Sequence, residues 1–322
     1  MLSAHQILIP LTDINDARSL AEVAGSVGKM LNSTSLHLIY LPRTSVLGSA
    51  KAAFTDLDDL SDNQSAWLNE EPGRRLSEAK HALETSGMRV SIEVIPTAYP
   101  SESILKATMR LQPDMVVMIT SGKGKERLTE EQQILKFLLR KGGVNVMMVP
   151  LRNSEQLPFS NPQRILVPVD FSGYARAALT VAKELAHELS HSRLMVLNVA
   201  TQSAGYLAPQ VHNWEYQFAR DRIRMSLFQR LEGFIHDTYG PDTQYDLDIL
   251  FGDPVHQILT TATRSRTDLI VMSSHGLSGI ERLMMGSVTE GVMRQASVPM
   301  LVVKATDVHA GVINAPFLAA SA

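Results

Sequence analysis

The chain repeats itself, and the repeat limits its fold more than any local signal does. Ile7-Leu8-Ile9-Pro10-Leu11 matches Ile165-Leu166-Val167-Pro168-Val169, and Ala17-Arg18 matches Ala175-Arg176 at the same spacing. Pro100, Ile104, Asp114 and Gly122 then fall on Pro254, Ile258, Asp268 and Gly276 at a second constant spacing. The two spacings differ by four residues, which one loop absorbs. A chain of 322 residues suits two domains of this size. The expected division is residues 1–151, a polar, proline-containing join over 152–163, residues 164–304, and a tail over 305–322.

Within each copy, strands alternate with helices. In the second copy the strands are expected near 164–169, 194–200, 245–251, 268–273 and 299–304, and the helices near 174–190, 216–238, 255–264 and 287–296. Ala175, Ala178, Leu179, Ala182, Leu185, Ala186 and Leu189 recur at helical spacing and predict one buried stripe. Tyr245, Leu247, Ile249 and Phe251 alternate with Asp246 and Asp248, so that strand has one wet face and belongs toward a sheet edge. The unbroken apolar runs at 165–169 and 269–272 belong at the centre. Such alternation of strands and right-handed crossovers gives an α/β fold with a doubly wound parallel sheet. Ligands of these sheets bind beyond the carboxyl ends of the strands, where the strand order reverses.

Asp268 to Val303 carries the sharpest signal. An apolar run ends in Ser273-Ser274-His275-Gly276, a loop containing Gly279 follows, and Gly286-Ser287 opens a new periodic segment. Ser287 and Glu290 have the spacing of a capping box. A strand end, a glycine loop and a fresh helix N-terminus make an anion site, because unpaired N–H groups and the positive end of the helix dipole point the same way. Phosphate is the expected guest.

This stretch resembles the nucleotide-binding loop of the universal stress protein family, G-x2-G-x9-G-[S/T], with Ser273 in place of the first glycine. The resemblance implies two flavodoxin-like (Rossmann-like) domains in tandem, each a five-stranded parallel sheet of strand order 3-2-1-4-5. It also implies that Asp170 and Val169, with Val199 at the end of strand 2, hold an adenine base. Gly276, Gly286 and Ser287 would then hold ribose and phosphates. Pro168, Ser172, Ser273, Ser274, His275, Gly279, Val288 and Thr289 complete the expected nucleotide site. Asp170 or Ser172 also suits a helix cap, and the two roles coexist readily. The implied ligand is ATP, or ADP or AMP, with Mg²⁺ accompanying the phosphates. The family pairs subunits through the final strand, so the resemblance further implies pairing of the two copies near 144–149 and 299–304, or a homodimer.

The first copy is expected to lack the phosphate site. Gln132-Gln133 stand where Gly286-Ser287 do, Thr12 replaces Asp170, and Lys123, Lys125 and Arg127 populate the loop. A solvated surface loop is the expected role of those cations.

Several patterns point elsewhere without carrying a function. His187-Glu188-Leu189-Ser190-His191 has the spacing of a zinc peptidase, but Leu189 belongs to the buried stripe and no third ligand follows. No GxxxxGK[ST] occurs, which disfavours a P-loop NTPase. Met284, Met285, Met293 and Met300 read as core fillers, and Trp67 and Trp214 as loop anchors. A net charge of -3 makes no case for nucleic acid or an anionic membrane. There is no cysteine, and no apolar run is long enough to span a bilayer. A cytoplasmic location is expected. The reading is a stress-response sensor or regulator with an adenine nucleotide in its second domain and an unknown protein partner. No catalytic residue or dedicated metal site can be named, so turnover is expected to be slight or nil. A slow ATP hydrolase or adenylyl-transfer enzyme, and a ligand-free interaction module, stay open.

Overall fold

The computed structural model describes residues 6–12, 17–43, 54–55, 70–120, 129–141, 143–150, 161–189, 192–201, 213–240, 244–275 and 285–304. The chain forms two units that meet in sequence between Asn161 and Pro162.

The first unit runs β1 (Gln6–Leu11), α1 (Ala17–Met30), β2 (Ser35–Tyr40), β3 (Phe54–Thr55), α2 (Glu71–Thr85), β4 (Arg89–Val94), α3 (Pro100–Leu111), β5 (Met115–Thr120), α4 (Glu130–Lys141) and β6 (Asn145–Pro150). Its strands lie in the order β3-β4-β2-β1-β5-β6. All pairs are parallel except the two-residue β3, which runs antiparallel to β4.

The second unit runs β7 (Arg164–Pro168), α5 (Gly173–Glu188), β8 (Arg193–Ala200), α6 (Asn213–Tyr239), β9 (Tyr245–Phe251), α7 (Pro254–Arg264), β10 (Leu269–Ser273), α8 (Ser287–Gln295) and β11 (Met300–Val303). Its order is β9-β8-β7-β10-β11, parallel throughout. Both units therefore have the expected 3-2-1-4-5 plan, and β3 is an addition at one edge.

Burial follows the pattern of the sequence. Ile165, Leu166, Val167 and Leu269 to Val271 are shielded almost completely, as central strands covered on both faces require. In α5 the stripe Ala175, Ala178, Leu179, Ala182 and Leu185 is buried, joined by Val181. β9 lies at the edge, where Ile249 alone of its seven residues is fully buried. Its wet face is not bare, because Arg264 pairs with Asp248 at 3.2 Å and Arg224 approaches it at 3.5 Å.

One device recurs in both units. Asp268 Oδ2 accepts the backbone N–H groups of Gln163 and Arg164, each at 2.9 Å. Asp114 Oδ2 accepts that of Gln6 at 3.0 Å. Each aspartate precedes strand 4 and holds the start of strand 1, so the repeated acid is a register lock at the amino ends of the central strands.

Candidate functional site

In the second unit the strand order reverses between β7 and β10, and the two helices that follow those strands begin there. Beyond β7 the chain turns sharply. Phe171 has a φ of 63°, a left-handed conformation that costs a bulky residue about 1–2 kcal/mol. The Phe171 ring is held edge-on against Phe234 at 5.9 Å, with the Arg230 guanidinium 4.2 Å over it. Such strain persists where the surroundings over-determine it, and often where a ligand is bound.

That turn sets Asp170 and Ser172 together. Asp170 Oδ1 accepts the Ser172 N–H at 3.0 Å and its hydroxyl at 2.6 Å, and Ser172 Oγ accepts the Ala175 N–H at 3.0 Å. Ser172 is thus the N-cap of α5 and Asp170 orients the cap. Pro168 is half-buried at the end of β7. Val169 is buried, and its carbonyl accepts the side-chain amide of Asn198 at 2.7 Å. Val199, half-buried, is the penultimate residue of β8.

On the other side of the reversal, β10 ends in Ser273 and the chain bends through Ser274 and His275. Ser273 Oγ donates to the His275 carbonyl at 2.6 Å, so the serine that replaces a glycine turns onto its own loop. Ser274 is shielded, and its hydroxyl meets His275 Nδ1 at 2.9 Å. His275 Nε2 is covered and has no hydrogen-bond partner among the described residues. Burial lowers the pKa of this imidazole below its usual 6.5, so the ring is neutral at physiological pH. The rings of Tyr174, in the first turn of α5, and His275 lie 5.5 Å apart and tilted by 42°. They bring the α5 terminus against the end of β10.

The start of α8 is tied to the same place. Gly286 donates its N–H to the Ser274 carbonyl at 2.9 Å, and the buried Thr289 donates its hydroxyl to the Ser273 carbonyl at 2.9 Å. The sequence placed a capping box at Ser287 and Glu290, and the structure corrects this. Gly286 is the N-cap, no side chain caps the helix, and Ser287 is the exposed first helical residue, followed by the half-buried Val288. The tie from Gly286 to Ser274 fixes where the helix can start. The first N–H groups of α8, at Ser287, Val288 and Thr289, have no intrahelical acceptor and supply donors for an anion.

The capping box is found in the other unit. Thr129 Oγ1 accepts the Gln132 N–H at 3.3 Å, and Gln132 Oε1 accepts the Thr129 N–H at 3.1 Å. With Asp114 placed on Asp268, the last residues of α4 and α8 correspond, yet α4 has 12 residues and α8 has nine. The extra turn fills the position of residues 284–286 and brings Glu130 and Glu131 to the helix start. Those carboxylates already complement the dipole and repel an anion.

The structure therefore brings Pro168, Val169, Asp170, Ser172, Ser273, Ser274, His275, Gly286, Ser287, Val288 and Thr289 to one end of the second sheet, on the two strands that flank the reversal. Val199 lies one residue before the end of the neighbouring strand. Gly276, Gly279 and Met284 lie outside the described residues, as do Lys123, Lys125, Arg127, Trp67, His191 and the tail from 305. His187 is exposed in the last turn of α5, and Trp214 belongs to the first turn of α6. Sequence reasoning missed Tyr174 and Asn198. A polar Asn198 between Leu197 and Val199 in an apolar run was the available signal for the second.

The universal stress protein family matches this chain over residues 161–304. Universal stress protein MJ0531 of Methanocaldococcus jannaschii is 29% identical over 160 residues, which cover 48% of this chain and 86% of that protein. Universal stress protein YxiE of Bacillus subtilis is 29% identical over 146 residues, 44% of this chain and 98% of that protein. A universal stress protein structure from Archaeoglobus fulgidus shares the fold with a TM-score of 0.60 at 20% identity, covering 95% of this chain and 98% of the other.

Proposed function

Because residues 161–304 belong to the universal stress protein family, we propose that the second unit binds an adenine nucleotide, ATP or its di- or monophosphate, beyond the ends of β7 and β10. In this reading the chain is a stress-response sensor with little or no turnover. Asp170 and Val169, with Val199, receive the base, and the α8 terminus receives the phosphates, accompanied by Mg²⁺. The observation that carries the reading is the convergence of two helix N-termini at the reversal of strand order, one capped by Ser172 and held by Asp170, the other open at Gly286-Ser287. Nucleotide occupancy then alters the segment between Ser273 and Ser287, and with it the surface offered to a protein partner.

Thermal unfolding of the pure protein against ATP, ADP, AMP and unrelated anions tests this. A ligand at a hundred times its dissociation constant stabilises the state it binds by about 2.7 kcal/mol, readily visible as a shifted midpoint. A shift with adenine nucleotides that disappears in Gly286→Gln supports the reading. No shift with any adenine nucleotide at millimolar concentration overturns it.

A further inference from the structure

The turn that follows β7 depends on α6. Arg230, Phe234 and Thr238 follow one another at a spacing of four and lie in one row along that helix, beside the buried Leu231, Ile235 and Tyr239. Phe234 is half-buried and meets the Phe171 ring edge-on at 5.9 Å. The Arg176 guanidinium of α5 lies 4.4 Å over the Phe234 ring and donates to Thr238 Oγ1 at 2.9 Å, which pins α5 to the same row. Arg230 is exposed, makes no ion pair among the described residues, and covers the Phe171 ring at 4.2 Å. The side chains thus stack in the order Arg230, Phe171, Phe234, Arg176, and one of the two rings belongs to the residue whose φ is 63°.

Glycine takes a left-handed conformation freely and asparagine at little cost, whereas a bulky side chain does not. A phenylalanine at that place makes the turn conditional on what its ring docks against. The turn in its turn sets Asp170. The bond from the Ser172 N–H to Asp170 Oδ1 closes a ring through Phe171, so the dihedrals of Phe171 decide where the carboxylate stands relative to the start of α5. We propose that Arg230 and Phe234 are positioning residues for the nucleotide site, holding Phe171 in its left-handed turn and, through it, the Asp170 carboxylate where the base is received. The inference rests on the role given to Asp170 in the proposed function. An edge-to-face ring pair and an exposed cation–π contact are together of the same size as the cost of the turn, so loss of either lowers the population of the competent turn. Apparent affinity falls with that population. The first unit supplies a contrast. At the spacing that places Ile7 on Ile165, Thr12, Asp13 and Ile14 stand where Asp170, Phe171 and Ser172 do. The acid, the ring and the capping serine are present together in one unit and replaced together in the other.

Titration calorimetry of the full chain with ATP tests this, with the unfolding midpoint of each ligand-free variant measured alongside. Arg230→Ala and Phe234→Leu are each expected to weaken ATP binding about two- to fivefold. Arg230→Lys, which keeps a cation over the ring, restores most of the loss. In a chain carrying Phe171→Gly, where neither ring nor strain remains, adding Arg230→Ala is expected to change nothing further. A loss that persists undiminished beside Phe171→Gly means that Arg230 acts on the nucleotide directly, and it overturns the proposal. Parent-like binding by both Arg230→Ala and Phe234→Leu also overturns it, while the nucleotide reading stands. A parent chain that binds no adenine nucleotide overturns both. Where Phe234→Leu lowers the unfolding midpoint, the Arg230 variants decide, since that exposed side chain can be changed without opening the core.

Discussion

The backbone N–H of Gly286 points back at the carbonyl of Ser274, 2.9 Å away, with eleven residues between the two in sequence. Gly286 has φ −59° and ψ 138°, which any L residue adopts. Backbone freedom therefore does not require a glycine here, and the proposed nucleotide site gives it a reason in the approach of a phosphate. Gly286 is the N-cap of α8, and Gln caps more poorly than Gly, so Gly286→Gln is expected to fold with a loss of about 1 kcal/mol in urea. The same variant loses the nucleotide-induced rise in unfolding midpoint, and the two measurements separate ligand loss from misfolding.

Ser172 closes the first turn of α5 and receives its orientation from Asp170. Removal of the hydroxyl in Ser172→Ala is expected to cost about 1 kcal/mol, read from the urea midpoint. Ser172→Asp, which can still accept the Ala175 N–H, loses less from the cap alone but sets two carboxylates together. It is expected to weaken nucleotide binding more than it weakens the fold.

In the first unit Glu93 sits buried between β2 and α3, 3.3 Å from His37 Nε2 and hydrogen-bonded by Arg110. Ser91 engages the other ring nitrogen of His37. Burial pushes the Glu93 carboxyl up, but the hydrogen bonds and charges of His37 and Arg110 outweigh it and hold the group below the usual 4.5. The unfolded chain therefore takes up the proton first. The stability from this carboxylate is complete above the unfolded value and is lost as pH falls through the lower folded value. Unfolding midpoints measured from neutral pH down to pH of about 3 should fall more steeply for the parent than for Glu93→Gln.

Two helical glycines make a contrasting pair. A Cβ on Gly291 in α8 would stand 2.6 Å from Val255 Cγ2 in α7, and a β-branched side chain has little room to turn aside. Gly291→Ala is expected to destabilise by about 1–3 kcal/mol despite the better helix propensity. On Gly28 in α1 the same atom would meet the end of Met88 at 2.7 Å, a flexible side chain that can move. Gly28→Ala should be near neutral or slightly stabilising, and chemical denaturation of both variants measures the difference.

Elements with a full run of side chains to declare them were legible in the sequence. The apolar run at 269–272 and the alternation at 245–251 gave the centre and edge of the second sheet, because burial on two faces and on one leave different patterns. Where backbone atoms decide, the sequence misled. Ser287 has the residue type of a cap, but the Gly286 N–H is committed to Ser274 and the helix starts one residue earlier than a serine cap requires. Side-chain composition also hid the real capping box at Thr129 and Gln132, since the helix there begins a turn earlier than the repeat predicts. Tyr174 carries no period at all. Its place beside His275 comes from the turn at Phe171, whose left-handed backbone no residue pattern announced.

Asp114 and Asp268 sit at the end of each sheet opposite the candidate site, and each joins residues more than a hundred positions apart. A fold fastened at one end leaves the other free to vary. In the proposed reading the second unit can thus meet a nucleotide while the first does not, because the residues that fasten each sheet and those assigned to the nucleotide are not the same residues. The difference comes to one helical turn at the start of α4, and giving Thr129 through Gln132 a glycine-led start would ask how few changes the proposed site needs to arise in the first unit.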